Sequence, residues 1–220
     1  MKNLNQLLLD FDYEQNFKDD DFYVGKSNYY TFELINKWPK WEKNFLNISG
    51  EKFSGKTHLT NIFLKKFNGV RIESDLLNNE TLRTIKPYQN IILEDLSLNT
   101  NENLIYTLFN IIDQDNKFLI ITSSMPIAEI NFQLKDLRSR TKNCLLAKIE
   151  NPDDELMFAL ILKNLSDRQI TLDKKLINFI IKRVERSYDK IFEFIYKIDE
   201  ISLKKKKPID FKIINEVLGE

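Results

Sequence analysis

The chain has 220 residues, 42% of them hydrophobic, which suffices for one large domain or for a medium domain with a small one. Its 33 basic and 33 acidic residues cancel, so bulk charge gives no pull toward nucleic acid. One cysteine, Cys144, excludes an internal disulfide framework and suits a reducing, cytoplasmic setting, and no apolar run approaches a membrane span.

The chain opens on Gln6-Leu7-Leu8-Leu9-Asp10-Phe11, followed by an acidic stretch ending in Asp19-Asp20-Asp21. This composition predicts a mobile tail, residues 1–16, ahead of a folded body. Either the leucines cover the body's own core, or Gln6, Leu9 and Phe11 dock as an extended peptide in a preformed groove. Phe22 to Asn28 then leads through Gly25 into a helix capped by Ser27 or Asn28, and Pro39 ends the helical pattern. Trp38 and Trp41 read as packing anchors.

Phe45–Ser49 predicts a strand, and Gly50-Glu51-Lys52-Phe53-Ser54-Gly55-Lys56-Thr57 fits the phosphate-binding pattern G-x-x-x-x-G-K-[ST]. The chemistry needs these residue types. Gly50 and Gly55 let backbone N–H groups turn toward anionic oxygens, Lys56 reaches the outer phosphates, and the Thr57 hydroxyl suits Mg²⁺. A helix follows through Leu59, Ile62 and Phe63.

Gly69–Glu73 predicts a second strand and Asp75–Ile85 a polar helix. Asn90-Ile91-Ile92-Leu93-Glu94-Asp95 is an apolar run ending in two acids, the pattern of a buried parallel strand whose end faces a ligand. Glu94 is expected to hold Mg²⁺ through water, and Asp95 to lie near the attacking water. A helix over Glu102–Asp113, a strand over Lys117–Ser124 and a strand over Cys144–Ile149 complete a parallel α/β sheet. From Pro152 the pattern is helical, with Asp173, Ser187 or Asp189, and Asp210 as caps. The lysines 204–207 read as a solvated helix end.

Several strings resemble the AAA+ ATPases, and more closely the DnaA/Hda group of replication proteins. They are Phe22-x-Val24-Gly25-x-Ser27-Asn28, Gly55-Lys56-Thr57-His58-Leu59, Thr122-Ser123-x-x-Pro126, Leu137-x-Ser139-Arg140 and Arg186-Ser187-Tyr188-Asp189-Lys190. The resemblance implies a P-loop NTPase fold, with a five-stranded parallel sheet, helices on both faces and a small all-α lid. It divides the chain into the tail 1–16, a nucleotide-binding domain 17–150 and a lid 151–220. It implies ADP or ATP with Mg²⁺ as cofactors, and Val24 and Lys190 as nucleotide contacts beside the P-loop. Lys190 stands where the family has an arginine, which keeps the charge but loses the bidentate fork.

The resemblance also makes Arg140 an arginine finger acting on a partner's ATP, and Gln6, Leu9 and Phe11 a peptide for the DNA polymerase III sliding clamp (beta subunit). Relatives of this plan bind DnaA, and self-association is a further expectation. With the lid reaching the end of these 220 residues, direct sequence-specific DNA binding is not expected. The family usually carries Asp then Glu where this chain has Glu94 then Asp95, which predicts tight nucleotide binding with slow intrinsic hydrolysis. The competing expectation is an active ATPase of the helicase-loader or transposition-helper type.

Overall fold

The computed structural model describes residues 22–219. Five strands, β1 (Phe45–Ser49), β2 (Val70–Glu73), β3 (Asn90–Leu96), β4 (Phe118–Ser123) and β5 (Leu145–Lys148), form one parallel sheet in the order β2-β3-β4-β1-β5. A helix follows or precedes each strand: α1 (Tyr29–Asn36), α2 (Lys56–Phe67), α3 (Thr81–Thr84), α4 (Glu102–Gln114) and α5 (Lys135–Thr141).

Alternate side chains enter opposite faces. Ile91 and Leu93 of β3 join Leu119 and Ile121 of β4 in one cluster with Leu108, Phe109 and Leu137. Ile92 and Ile120 enter the other, with Leu46, Ile48, Leu59 and Phe63. Both faces are covered, which is why these strands are almost continuously apolar. Both tryptophans pack: Trp38 and Trp41 each meet Phe63 and Phe118. Buried Asn47 ties β1 to its neighbour, donating to Ile121 O and Ser123 Oγ and accepting from Ile127 N–H.

Four helices follow the sheet: α6 (Asp154–Asp167), α7 (Lys174–Ile181), α8 (Tyr188–Lys205) and α9 (Phe211–Leu218). They enclose a third cluster around Met157, Ile161, Ile177, Ile195 and Ile214. Leu156 of α6 and Tyr188 of α8 pack instead with the sheet's second cluster, joining the two parts. Asp153, Asp173, Ser187 and Asp210 cap these helices through side-chain oxygens.

Three expectations are corrected. The segment from Asp75 to Ile85 is a 3-10 turn (Ser74–Leu76) and a four-residue helix, because the Asn78 carboxamide accepts from Glu80 and Thr81 N–H and closes a local turn. Pro152 lies ahead of α6, whose cap is Asp153. Asn28 stands at the start of α1, but its side chain does not cap the helix; it accepts from Gly25 N–H and donates to Tyr23 O.

Candidate nucleotide-binding site

In the sheet order the chain leaves β1 toward β2 on one side and leaves its neighbour β4 toward β5 on the other, so the strand order reverses between β1 and β4. A crevice at the carboxyl end of such a strand is where open α/β sheets take ligands. The P-loop occupies that end, anchored by Gly50 N–H donating to Ser123 O at 3.1 Å. A Cβ on Gly50 would lie 2.8 Å from Ser54 Oγ and 3.0 Å from Ile149 Cβ, so packing alone demands glycine there. Gly55 sits at φ +91 and opens α2, with the Phe22 ring 3.0 Å from where its Cβ would be.

Lys56, only 7% exposed, donates to the carbonyls of Gly50 and Glu51, each at 2.9 Å. Burial lowers its pKa, opposed by Asp95, Glu94 and Glu51 in that order. Ser54 Oγ is buried with no hydrogen-bond partner among the described residues. Two glycines, an unpaired hydroxyl and a lysine held by main-chain carbonyls fit an anionic phosphate chain. The cleft beside them holds about 1040 Å³ and is walled by Val24 and Asn28, by Thr57 and Asp95, and by Leu156 and Ala159 of α6.

Glu94 is 1% exposed. Its carboxylate accepts from Thr60 Oγ1, from Thr122 Oγ1 at 2.7 Å and, at 3.4 Å, from Thr57 Oγ1. Arg71 Nε lies 3.5 Å away, and the same guanidinium donates to Thr60 Oγ1 and Asn61 Oδ1. Glu94 and Asp95 differ because the β3–β4 register shifts between Leu93 and Leu96. There Asp95 takes φ +50 and is exposed, with its N–H donating to Thr122 Oγ1 and its C=O accepting from Ser74 Oγ. Thr57 therefore fits a metal beside the phosphates, with the Glu94 carboxylate 3.4 Å from its hydroxyl.

Glu73 pairs with Glu94 across β2 and β3, and burial, then Glu94, raises its pKa above the ordinary 4.5. Its ionised form is thus less favourable folded than unfolded. That penalty is present at neutral pH and disappears as pH falls to 4.5. Glu73→Gln is expected to raise the melting temperature at pH 7, with the gain fading toward that value in a series of thermal melts.

Other predicted residues lie apart. Arg140, in the last turn of α5, pairs with Asp113 at 2.6 Å, lies over the Tyr106 ring, and does not line the cleft. The Lys190 side chain turns to Glu193 at 3.1 Å on the outer side of α8 and does not line the cleft either. Gln6, Leu9 and Phe11 lie outside the described residues.

The sequence reading missed the role of Glu51. Its carboxylate accepts from Ser187 Oγ at 2.5 Å and Tyr188 N–H at 2.8 Å, so a P-loop acid sits on the N-terminus of α8. Phe53, at φ +63, stacks on Phe192 of the same helix with ring centroids 4.0 Å apart. The signal was an acid and an aromatic at two free positions of the phosphate motif.

This fold and cradle define the class: a P-loop AAA+ module with a helical lid. The family model described as "Hda, lid domain" matches residues 153–218. The chromosomal replication initiator protein DnaA of Leifsonia xyli is 22% identical over 91% of this chain and 48% of its own length. Among solved structures, domain III of Thermotoga maritima DnaA superposes with a TM-score of 0.74 at 20% identity, covering 94% of this chain and 97% of that one. AMPPCP-bound DnaA from Aquifex aeolicus gives 0.68 at 20% identity over 89% of this chain and 71% of that one. The chain is thus similar to DnaA over most of its length and to the Hda lid over residues 153–218. It spans about half the length of the curated relatives it matches.

Proposed function

We propose that the chain is a regulator of replication initiation that holds an adenine nucleotide and switches off DnaA by promoting hydrolysis of DnaA-bound ATP. The observation that carries this reading is the Hda-type lid at 153–218 closing on an intact P-loop cradle. Gly50, Gly55, Lys56 and Thr57 take the phosphates, and Val24 walls the base. Mg²⁺, when bound, offsets phosphate charge. Thr57 is the hydroxyl beside it.

Gln6, Leu9 and Phe11 dock the chain on the sliding clamp, and the AAA+ faces of the chain and DnaA then meet. Arg140 is half-buried on the surface and outside its own cleft, which suits a guanidinium presented to a neighbour's nucleotide. The Glu94-Asp95 order suits a chain that keeps its own nucleotide while hydrolysis proceeds on the partner. The protein acts in the cytoplasm.

Reconstitution with clamp, clamp-loaded DNA and ATP-bound DnaA tests the reading. Added chain should accelerate release of phosphate from DnaA, and replacing Gln6 and Phe11 by alanine should remove the effect. Unchanged hydrolysis on adding the wild-type chain sinks the regulatory role. Full stimulation by the Gln6/Phe11 variant sinks the clamp step alone.

A further inference from the structure

We propose that the phosphate loop itself latches the lid, through Glu51 and Phe53, so that the lid is closed before any nucleotide arrives. Resting on the nucleotide reading above, the same latch then limits how fast nucleotide enters and leaves. Both Glu51 oxygens are spent on the start of α8: one accepts from Ser187 Oγ at 2.5 Å, the other from Tyr188 N–H at 2.8 Å. Ser187 Oγ also accepts from Lys190 N–H at 3.2 Å, so one hydroxyl both caps the helix and holds the loop. The acid sits where the helix dipole favours negative charge. Tyr188 adds a third tie, its hydroxyl donating to Glu150 O at 3.1 Å and lying 3.2 Å from Ser27 Oγ.

At φ +63, Phe53 has a backbone that glycine takes freely and that other residues seldom adopt. Its ring offsets that strain by stacking on Phe192 at 4.0 Å, with an interplanar angle of 13°. Lys52 Nζ lies 4.9 Å from the Phe53 centroid, and the Arg168 guanidinium 5.8 Å from that of Phe192. Loop and lid thus share one aromatic pair flanked by cations. These ties are made wholly of protein atoms. Lys190, the lid cation expected at the phosphates, turns instead to Glu193 at 3.1 Å. Closure therefore draws on contacts within the protein rather than on a bound phosphate. Phe53, Tyr188 and Phe192 also line the cleft, so opening the latch widens the space between loop and lid.

Amide hydrogen exchange followed by NMR on the full chain, without and with ADP, tests the latch. In the nucleotide-free wild type the Tyr188 amide should exchange at least about tenfold more slowly than in an unstructured peptide, and ADP should change that rate less than about threefold. Glu51→Ala should lose this protection, while amides from Phe192 onward keep theirs because Ser187 still caps α8. Stopped-flow binding of a fluorescent ADP analogue tests the gate. Phe53→Gly relieves the left-handed backbone and so keeps the loop folded. It should speed association and dissociation about tenfold each, the worth of one aromatic pair, and leave Kd within about threefold. A Tyr188 amide unprotected in the free wild type, or one that ADP slows a further tenfold or more, overturns the latch. Rates unchanged in both Phe53→Gly and Glu51→Ala overturn the gate and leave the nucleotide reading intact. A protected amide in a chain that binds no ADP supports the latch and sinks the nucleotide reading.

Discussion

Arg140→Ala is expected to abolish the acceleration of DnaA's ATP hydrolysis, a loss of about a thousandfold or more, the scale on which arginine fingers act. The variant should otherwise behave as wild type. Arg140 is bound to its own chain through Asp113 and the Tyr106 ring, with side chains 34% and 49% exposed across the ion pair. An exposed pair of this kind contributes about 0–1 kcal/mol. Redirecting the guanidinium toward a partner's phosphates therefore costs little, and removing it should leave the melting temperature nearly unchanged. Arg140→Lys keeps the charge but not the fork, and should recover only part of the effect. Phosphate release from ATP-loaded DnaA, with clamp and DNA present, reads all three proteins. Stimulation by Arg140→Ala equal to wild type would show that the hydrolytic push comes from elsewhere.

The second large effect concerns Lys56. In the structure its ammonium bridges the Gly50 and Glu51 carbonyls, so the loop is already arranged around a positive charge before phosphates arrive. Lys56→Ala removes the charge-assisted contacts to phosphate, worth about 2–3 kcal/mol, which weakens nucleotide binding by about a hundredfold. ADP at 100 times the wild-type Kd should stabilise wild type by about 2.7 kcal/mol. For a chain of this size that shifts the melting temperature by about 5–10 °C. At the same ADP concentration the variant should gain only about 1 °C. The melting temperature without nucleotide separates this loss from damage to the loop, since the two carbonyls lose their donor. An undiminished ADP shift in Lys56→Ala would remove the P-loop from nucleotide binding.

What was legible in the sequence was what is local. The phosphate motif depends on glycines and a lysine within eight residues, and β1 spans Phe45–Ser49 as its apolar run predicts. The caps at Asp173, Ser187 and Asp210 each accept from the backbone three residues on, so they too could be read from the chain. The polar helix expected from Asp75 failed for an equally local reason, the competing turn at Asn78, whose strength propensity does not reveal.

The division of labour between Glu94 and Asp95 was not legible, because it depends on partners brought from afar. Arg71 reaches Glu94 only through β2–β3 pairing, Thr122 only through β3–β4 pairing, and Asp95 turns outward only because the register slips there. An arginine inside a four-residue strand beside the acid-tipped one was the available hint. Lys190 illustrates the same limit. Its position after Ser187 is clear from sequence, but the face of α8 that it occupies is fixed by Glu51 and Phe192, not by its own neighbours.

The contact between Glu51 and the start of α8 turns that helix into a lever. Its fulcrum is the phosphate loop: the Glu51 carboxylate holds Ser187 and Tyr188, and Phe53 rests against Phe192 one turn along. The helix runs 18 residues, so its arm is about 27 Å long. A rotation of about five degrees at the loop sweeps the far end, near Lys205, through about 2 Å. A rearrangement too small to notice at the phosphates would thus be read out at full amplitude at the far end of α8, where the α8–α9 corner is joined by the Lys205–Glu216 pair.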